Sequence, residues 1–274
     1  MCAAGAFARR NLSRSRTLII KDGTDRVATV TGGASGIGSG ISQTLACDGF
    51  RIPMVSRSDE VFARAAELER QGHLAVGMQA DLSAIASIQG LTTRVLNEIG
   101  RCDVLGNNAG THIRKPDGQR IRFEEMTMQE WNFSLALHMT APMLLCLAFL
   151  PGMKERGWGR IVNISSRAAR TFTIQSSLPY AASKAGSIGP TRAIAGEFAP
   201  FGITCNSVAP GRICTSLTDI DTDSLKQASL VGIPAEPDRR PDGGRSGRQL
   251  PGFRPGRFVT GTTLDINGGA FIAP

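Results

Sequence analysis

Short apolar runs alternate along the chain with longer stretches in which apolar residues recur every three or four positions. The short runs fit buried strands and the longer stretches fit amphipathic helices. The predicted strands are 26–30, 51–56, 74–79, 102–106, 160–165, 204–208 and 262–266, and the predicted helices are 39–48, 60–71, 84–99, 128–156 and 179–198. This alternation predicts right-handed βαβ crossovers and a single α/β domain, in which helices cover both faces of a doubly wound parallel sheet.

The turn after the first predicted strand is rich in glycine. Residues 31–38 read Thr-Gly-Gly-Ala-Ser-Gly-Ile-Gly, and a predicted helix follows directly. Glycines here allow the backbone to approach a pyrophosphate, and the helix N-terminus offers N–H donors and the positive end of its dipole. A tight turn that needs glycine only for its conformation gives the same pattern, so this motif alone leaves both interpretations open.

Tyr180 is the only tyrosine of the chain, and Lys184 follows it four positions later. Residues four apart on a helix share a face, which places the ammonium beside the phenol. A nearby cation lowers the pKa of a tyrosine from its usual value of about 10, so Tyr180 is a candidate general acid/base for a carbonyl or an alcohol. A surface pair without a chemical role fits the same spacing.

Two serines, Ser165 and Ser166, lie at the carboxyl end of the fifth predicted strand. Ligands of open parallel sheets bind at this end of the strands, so a hydroxyl here can hydrogen-bond a substrate oxygen. Capping of the strand end is the alternative interpretation.

Taken together, these features resemble the short-chain dehydrogenase/reductase family. The resemblance covers about 27–235 and resumes at 258–269. It rests on TGGASGIG at 31–38, Asp81, NNAG at 107–110, the serines at 165–166, YAASK at 180–184, VAPGRICT at 208–215 and TGTTLDINGG at 260–269. The order and spacing of these motifs are more specific than any one of them, and they imply a Rossmann-like fold and a nicotinamide cofactor.

The resemblance also implies roles for individual residues. Ser166 is expected to orient the carbonyl, Tyr180 to donate or accept the proton, and Lys184 to lower the tyrosine pKa and hold the nicotinamide ribose. Asp81 is expected to reach the adenine. The full set of expected cofactor-binding residues is Gly32, Ser35, Gly36, Ile37, Gly38, Arg57, Asp81, Asn108, Ala109, Gly110, Tyr180, Lys184, Pro210, Gly211, Ile213 and Thr215.

One position of the expected active site departs from the family pattern. The family places an asparagine seven residues after a tryptophan of the long helix, and counting from Trp131 gives His138. A histidine can pass protons near neutral pH but cannot copy the donor and acceptor arrangement of an amide. We therefore predict His138 as a catalytic residue in a proton relay, with a merely tolerated polar residue as the alternative.

The choice of cofactor follows from the end of the second strand. An acid there binds the ribose 2′-hydroxyl of NAD, whereas a nearby arginine accommodates the 2′-phosphate of NADP. Ser56 occupies the acid position and Arg57 comes next. The sequence therefore predicts NADP(H), with NAD as the less favoured cofactor.

Composition excludes several classes of function. The formal net charge is +8, but seven of these eight charges lie in 1–26 and 236–257, so nucleic-acid binding is not expected as the main function. The six cysteines show no Cys-x-x-Cys pair or metal-ligand spacing, which favours a reduced cytoplasmic protein without a metal site. The longest apolar run, 141–153, is too short to span a bilayer and contains two prolines, so no membrane association is expected.

Two segments lie outside the family pattern. Residues 1–26 form a basic leader that we expect to be disordered, with a mitochondrial transit peptide or an erroneous upstream start as alternatives. Residues 236–257 are rich in Pro, Gly and Arg where the family has a helix, and they keep its length. Compensating frameshifts explain this combination, and a divergent loop is the alternative. The domain itself is assigned to 27–274.

The function expected from these residues is NADP(H)-dependent interconversion of a carbonyl and a secondary alcohol. A 3-oxoacyl thioester reductase and a sugar or polyol dehydrogenase are both open, and a non-catalytic nucleotide-binding sensor or scaffold of the same fold is the alternative. The resemblance suggests a homotetramer or homodimer.

Basic residues follow two of the motifs and leave the substrate open. They fit an anionic substrate, such as an acid or an acyl-carrier thioester, and they equally fit a solvated loop. They are Arg114, Lys115, Arg120, Arg122, Arg167 and Arg170.

Overall fold

The predicted strands assemble into one parallel sheet. The computed structural model describes residues 26–213, 215, 233–235 and 258–273. Within these residues the strands are β1 (Ala28–Thr31), β2 (Ile52–Ser56), β3 (Ala75–Gln79), β4 (Val104–Asn107), β5 (Gly159–Ile164), β6 (Ile203–Pro210) and β7 (Thr263–Ile266). They lie side by side in the order β3-β2-β1-β4-β5-β6-β7, and every pairing is parallel. The predicted doubly wound, Rossmann-like sheet in a single domain is confirmed.

The helices also lie close to their predicted positions. They are α1 (Gly36–Cys47), α2 (Glu60–Arg70), α3 (Ile85–Arg94), α4 (Met128–Leu135), α5 (Ala141–Glu155), α6 (Leu178–Gly186) and α7 (Ile188–Phe198). The helix predicted over 179–198 is divided at Ser187. Pro190 has no N–H to donate to the Gly186 carbonyl, which accounts for the interruption just after the turn that carries Tyr180 and Lys184.

Helices cover both faces of the sheet. On one face, Leu105 of β4 belongs to the same buried cluster as Phe149 of α5, together with residues of α3. On the other face, Val30 of β1 and Met54 of β2 share a buried cluster with Leu45 of α1. Two apolar layers therefore enclose the strands and hold their carboxyl ends at one edge of the molecule.

A π-helical turn, Ala136–Thr140, joins α4 to α5 into one helix, Met128–Glu155. Among the described residues, this is the helix that is long and apolar enough to cross a membrane by length and composition. Core helices pass the same test, and here Leu145, Phe149 and Met153 are buried in the cluster against the sheet. Its packing therefore makes it a core helix of the fold.

The two segments that depart from the family pattern fall almost wholly outside the described residues. Of the basic leader 1–26, only Arg26 is described, and its guanidinium lies 3.9 Å from the ring centroid of Trp158. None of 236–257 is described. The predicted disorder of 1–26 and the predicted frameshift origin of 236–257 therefore stay predictions.

Candidate active site

A cleft opens at the carboxyl edge of the sheet, where the strand order reverses between β1 and β4. The chain leaves β1 toward β2 on one side and later enters β4 on the other, and a crevice forms between such diverging connections. Most predicted site residues line this cleft together. They are Gly32, Ser35, Gly36, Ile37, Asn108, Ala109, Gly110, Ser166, Tyr180, Lys184, Pro210, Gly211, Ile213 and Thr215.

Backbone geometry requires the glycines of the first turn. Gly32 and Gly36 have φ angles of +63° and +50°, in the left-handed region that other residues rarely adopt. Gly38 does not line the cleft, but a Cβ there would collide with the carbonyl oxygen of Gly32. At Gly32 and Gly36 the turn therefore presents backbone rather than side chains to the cleft.

The N-terminus of α1 is not capped by a side chain of its own N-cap residue. The helix begins at Gly36, and the N-cap residue Ser35 makes no side-chain capping hydrogen bond. The first turn also contains no acidic residue. The N-terminal N–H groups of a helix need acceptors, and those of α1 face a cleft lined by Ser35, Gly36 and Ile37. This arrangement fits the pyrophosphate of a dinucleotide.

Thr31 fastens the end of β1 to the end of β4. Its Oγ1 accepts hydrogen bonds from the N–H groups of Asn108 and Ala109, each at 3.0 Å, and donates to the Gly106 carbonyl at 3.2 Å. The Asn108 side chain donates back to the Thr31 carbonyl at 2.9 Å. In the sequence, Thr31 stands out only as the first residue of the glycine motif, and its function in joining the two strands was not predicted. The available signal was a threonine at the end of a predicted strand.

Ser166 follows β5 and begins the 3₁₀ turn Arg167–Ala169. Its Oγ accepts a hydrogen bond from the Ala168 N–H at 3.1 Å, which fixes the oxygen at the cleft. The preceding Ser165 is buried and donates to the Lys184 carbonyl at 2.8 Å. The two adjacent serines thus differ in function, since one ties β5 to α6 and the other keeps its hydroxyl proton for another acceptor.

Tyr180 and Lys184 face each other on the first turns of α6. The Lys184 Nζ lies 5.8 Å from the centroid of the Tyr180 ring and donates to the Ile164 carbonyl at 2.7 Å. Burial lowers the pKa of Lys184 to about 8. Burial also raises the pKa of Tyr180 to about 12, and hydrogen bonding with Ser166 and the charge of Arg114 act against this rise. The lowered tyrosine pKa expected from the sequence is therefore not found in this structure, and the phenol carries its proton at neutral pH.

His138 lies beneath the cleft, within the π turn, and uses both ring nitrogens. Its Nε2 accepts from the Thr111 N–H at 3.2 Å, so the ring proton is on Nδ1, which lies 2.9 Å from the Ser183 Oγ. Ser183 in turn donates to the Tyr180 carbonyl at 2.8 Å. Burial, helped by the charge of Lys184, lowers the pKa of His138 to about 2. These bonds favour a positioning function, and the predicted proton relay stays a prediction.

His112, which the sequence analysis missed, packs directly on Tyr180. The two rings are stacked, with centroids 3.6 Å apart and planes inclined by 26°. Burial and the charge of Arg114 lower the pKa of His112 to about 3, so the ring is neutral. The only signal in the sequence was its place two residues after the Asn-Asn-Ala-Gly motif.

A known family matches this arrangement. The model of the short chain dehydrogenase family matches residues 26–225. The chain belongs to the short-chain dehydrogenase family. By that membership it is an oxidoreductase.

Similar proteins cover most of this short-chain dehydrogenase. It is 34% identical over 218 residues to D-beta-hydroxybutyrate dehydrogenase of Cupriavidus necator, covering 78% of this chain and 80% of that protein. It is 32% identical over 247 residues to the 3-oxoacyl-[acyl-carrier-protein] reductase FabG of Vibrio cholerae, covering 90% and 98%. Among solved structures, one described as an NAD(P)-dependent gluconate 5-dehydrogenase from Beutenbergia cavernae, with bound NADP, superposes with a TM-score of 0.79 at 31% identity, covering 89% and 96%.

Arg57 and Asp81 lie outside the residues that line the cleft of this short-chain dehydrogenase. Arg57 is exposed just beyond the end of β2. Asp81 follows β3 and accepts hydrogen bonds from the N–H and the Oγ of Ser83, at 2.9 and 2.7 Å. These bonds lower the pKa of Asp81, and the charge of Arg57 adds to the effect. Both residues lie at the end of the sheet where the adenosine half of a dinucleotide is expected, and their contacts with it stay predictions.

The basic residues that were predicted as a group serve different purposes in this short-chain dehydrogenase. Lys115 pairs with Glu125 at 2.5 Å, and Arg170 pairs with Asp265 at 3.4 Å. Both are ion-paired, Lys115 within a partly exposed loop and Arg170 against the mostly buried Asp265 of β7. Arg114 and Arg167, in contrast, line the cleft.

No group of three or more His, Cys, Asp or Glu side chains suited to a metal ion occurs among the described residues.

Proposed function

We propose that this short-chain dehydrogenase interconverts a carbonyl and a secondary alcohol with NADP(H), using Tyr180 as the general acid/base. The observation that carries the proposal is the convergence of Ser166, Tyr180 and Lys184 on the cleft that also contains the glycine turn. A nucleotide site and a proton-transfer site thus share one cavity, as hydride transfer between cofactor and substrate requires.

The cleft suits a nicotinamide dinucleotide along its whole length. The uncapped N-terminus of α1 and the glycine backbone fit the pyrophosphate. A side chain at position 110 would be crowded, because a Cβ on Gly110 would lie 3.3 Å from the Lys184 Nζ. This part of the cleft wall is therefore also formed by glycine backbone. When bound, the nicotinamide supplies or accepts the hydride.

Each catalytic side chain has a definite task in this proposal. The Ser166 hydroxyl orients the substrate oxygen, and the Tyr180 phenol gives its proton to that oxygen in reduction and takes it back in oxidation. The pKa of Tyr180 at about 12 keeps the proton in place for reduction. Lys184, fixed by the Ile164 carbonyl, holds the ribose and favours the phenolate when oxidation needs it.

The preference for NADP(H) is supported by Arg57 at the end of β2. The similar structure from Beutenbergia cavernae contains NADP, which supports the same choice. The similar proteins include both an acyl-carrier-protein reductase and a hydroxy-acid dehydrogenase, so a thioester and a free acid are both candidate substrates.

A turnover screen tests the proposal. Carbonyls would be offered with NADPH and NADH, and alcohols with NADP and NAD, using Tyr180→Phe as the blank. Tyr180→Phe is expected to lower kcat on the order of 10²- to 10⁴-fold, the usual contribution of a general acid/base. NADPH fluorescence titration should show that the variant still binds the cofactor. Binding without turnover across the whole panel would instead favour a nucleotide-binding sensor.

The proposal also covers the cellular location and the oligomeric state of the protein. We propose a cytoplasmic homotetramer or homodimer. The outer face of α5 exposes Met143 and Leu147 by 43% and 63%, which supports contact with a second copy. Light scattering on the purified chain should give a mass of two or four times 29.0 kDa, and a monomer at working concentration would contradict this part.

A further inference from the structure

We infer that Arg167 forms an anion subsite for a carboxylate of the substrate, so that the enzyme acts on a small oxo or hydroxy acid. This inference rests on the proposed function and names its substrate class. It selects the free acid over a neutral polyol and over a carrier-bound thioester.

The position of Arg167 in the chain places it beside the reacting groups. It follows Ser166 directly and lines the same cleft as Tyr180. Its carbonyl accepts hydrogen bonds from the N–H groups of Arg170 and Thr171, at 2.9 and 3.1 Å, so its backbone is held in the 3₁₀ turn. The Arg167 side chain therefore extends from a backbone that is held in place directly after Ser166.

The guanidinium of Arg167 is half-buried and has no carboxylate partner within the part of the chain that the structure describes. Burial alone moves its pKa, downward, with no acidic group opposing the shift. An arginine keeps its charge in a protein, and a partly desolvated guanidinium gains most from the two parallel hydrogen bonds of a carboxylate. The nearby Arg170 already has such a partner in Asp265, and Arg167 lacks one among the described residues.

The wall of the cleft is cationic. The described residues that line it include Arg114, Arg167, Lys184 and Arg212 but no Asp or Glu. Arg114 is held in place by a hydrogen bond from its Nη1 to the Gln175 carbonyl, at 2.5 Å. Its positive charge is close enough to lower the pKa values of His112 and Tyr180. The charge of Arg114 therefore acts on the groups beside the proposed reacting centre.

The strand order separates Arg167 from the expected phosphate positions. Arg167 follows β5, which lies two strands from β1 with the glycine turn and three strands from β2 with Arg57. Neighbouring strands are about 4.8 Å apart, so these distances across the sheet are about 10 and 14 Å. This separation between the strands favours an anion on the substrate side as the partner of Arg167.

The reaction on such a substrate is balanced without a further reagent. In reduction the hydride of NADPH forms the new C–H bond, the carbonyl π bond breaks, and the oxygen takes the Tyr180 proton. The products are the hydroxy acid and NADP, and a solvent proton restores Tyr180. The carboxylate stays ionised and bound throughout.

Matched acids and esters test the inference. The probes are 2-oxopropanoate, 3-oxobutanoate and 4-oxopentanoate, each beside its methyl ester, together with acetoacetyl-CoA and a neutral polyol. Arg167→Gln removes the charge, Arg167→Lys keeps it, and Arg94→Gln is the control, since Arg94 is an exposed residue of α3 paired with Glu98. Calorimetric titration of the NADP-loaded protein with each acid measures binding independently of turnover.

We expect at least one acid to exceed its ester in kcat/KM. Arg167→Gln should lower kcat/KM for that acid by about 10- to 100-fold through KM, the loss typical of a charge-assisted hydrogen bond, and should leave the ester unchanged. Arg167→Lys should recover part of the loss, and Arg94→Gln should behave like the wild type.

Three results would overturn the inference. The first is a preference for ester, polyol or thioester that Arg167→Gln does not change. The second is a raised KM for NADPH in Arg167→Gln with the acid-to-ester ratio preserved, which would place Arg167 at a cofactor phosphate. The third is acid binding that the titration finds equal in wild type and Arg167→Gln. Acid binding that depends on Arg167 without any turnover would preserve the subsite and refute the proposed catalysis.

Discussion

The imidazole of His112 lies flat on the phenol ring of Tyr180, with the ring centroids 3.6 Å apart. The contact covers one face of the side chain that is proposed to move the proton. His138 meets the same phenol ring edge-on, with centroids 5.4 Å apart. Two neutral imidazoles therefore restrict the orientation of one phenol.

We expect His112 to affect kcat through the stacking of its ring on Tyr180 rather than through its ionisation. His112→Phe keeps an aromatic ring on Tyr180 and is expected to retain kcat within about twofold. His112→Ala removes the stack, which is worth about 0.5–1.5 kcal/mol, and should lower kcat by roughly 2- to 10-fold. Steady-state kinetics at saturating substrate measures both. If His112→Phe were as slow as His112→Ala, the imidazole nitrogens rather than the stack would be the important feature.

His138 should make stability depend on pH. Its pKa is about 2 in the folded protein, against the 6.5 that is usual for a histidine. Between these values the unfolded chain binds a proton that the folded chain does not, so stability is highest above pH 6.5 and falls as the pH decreases. Denaturant unfolding from about pH 7.5 to about pH 4.5 should show that His138→Asn reduces the slope by up to about 1.4 kcal/mol per pH unit. Equal slopes in the two proteins would contradict the buried neutral ring.

The same variant separates relay from positioning. A residue that only positions Thr111 and Ser183 leaves the shape of the kcat profile between about pH 5 and 9 unchanged when asparagine, the family's residue, replaces it. His138→Ala should lower stability by about 1–3 kcal/mol because it leaves buried hydrogen-bonding groups without partners. Loss of an acidic limb from the kcat profile in His138→Asn would favour the relay.

A methyl group at Gly38 should disrupt the cofactor turn. The Cβ of Gly38→Ala would collide with the Gly32 carbonyl oxygen, so we expect NADPH affinity to fall at least about 10-fold, as measured by fluorescence titration. Gly90 is the control, because it is an exposed helical glycine of α3 and a Cβ added there would meet nothing within 4 Å. Gly90→Ala should leave affinity unchanged and raise stability by about 0.5–1 kcal/mol. Unchanged affinity in Gly38→Ala would show that the turn can adjust.

Arg57 should determine cofactor preference. Arg57→Gln removes the charge proposed to face the 2′-phosphate and is expected to lower kcat/KM with NADPH by about 10- to 100-fold, with little change for NADH. Arg94→Gln is the control, since Arg94 is an exposed residue of α3 that pairs with Glu98 at 3.0 Å. Similar losses with both cofactors would assign Arg57 to structure instead.

The fold and the polar ends of its strands were predictable because they depend on local pattern. Alternation of strands and helices determines the parallel sheet, and its carboxyl ends bring the glycine turn, Ser166 and Tyr180 together. The break at Ser187 within the helix predicted over 179–198 has an equally local cause, since the missing N–H of Pro190 acts within one helical turn.

Contacts made by the connecting segments were not predictable in this way. The stacking of His112 on Tyr180 joins residues 68 positions apart in the chain through the path of a loop, which periodicity does not describe. The same holds for the basic residues, because nothing in their spacing distinguishes Lys115, paired with Glu125, from Arg167. Partners of a charged side chain are decided by the tertiary structure.

The cationic side chains that line the cleft have a kinetic consequence. Fields from Arg114, Arg167, Lys184 and Arg212 converge in a concave site with no acidic lining among the described residues, and such sites draw anions in by diffusion. Added salt shortens the reach of this attraction to about 8 Å at about 0.15 M ionic strength. Association should therefore slow as ionic strength increases, and small buffer anions such as phosphate and sulfate should compete with the substrate for entry.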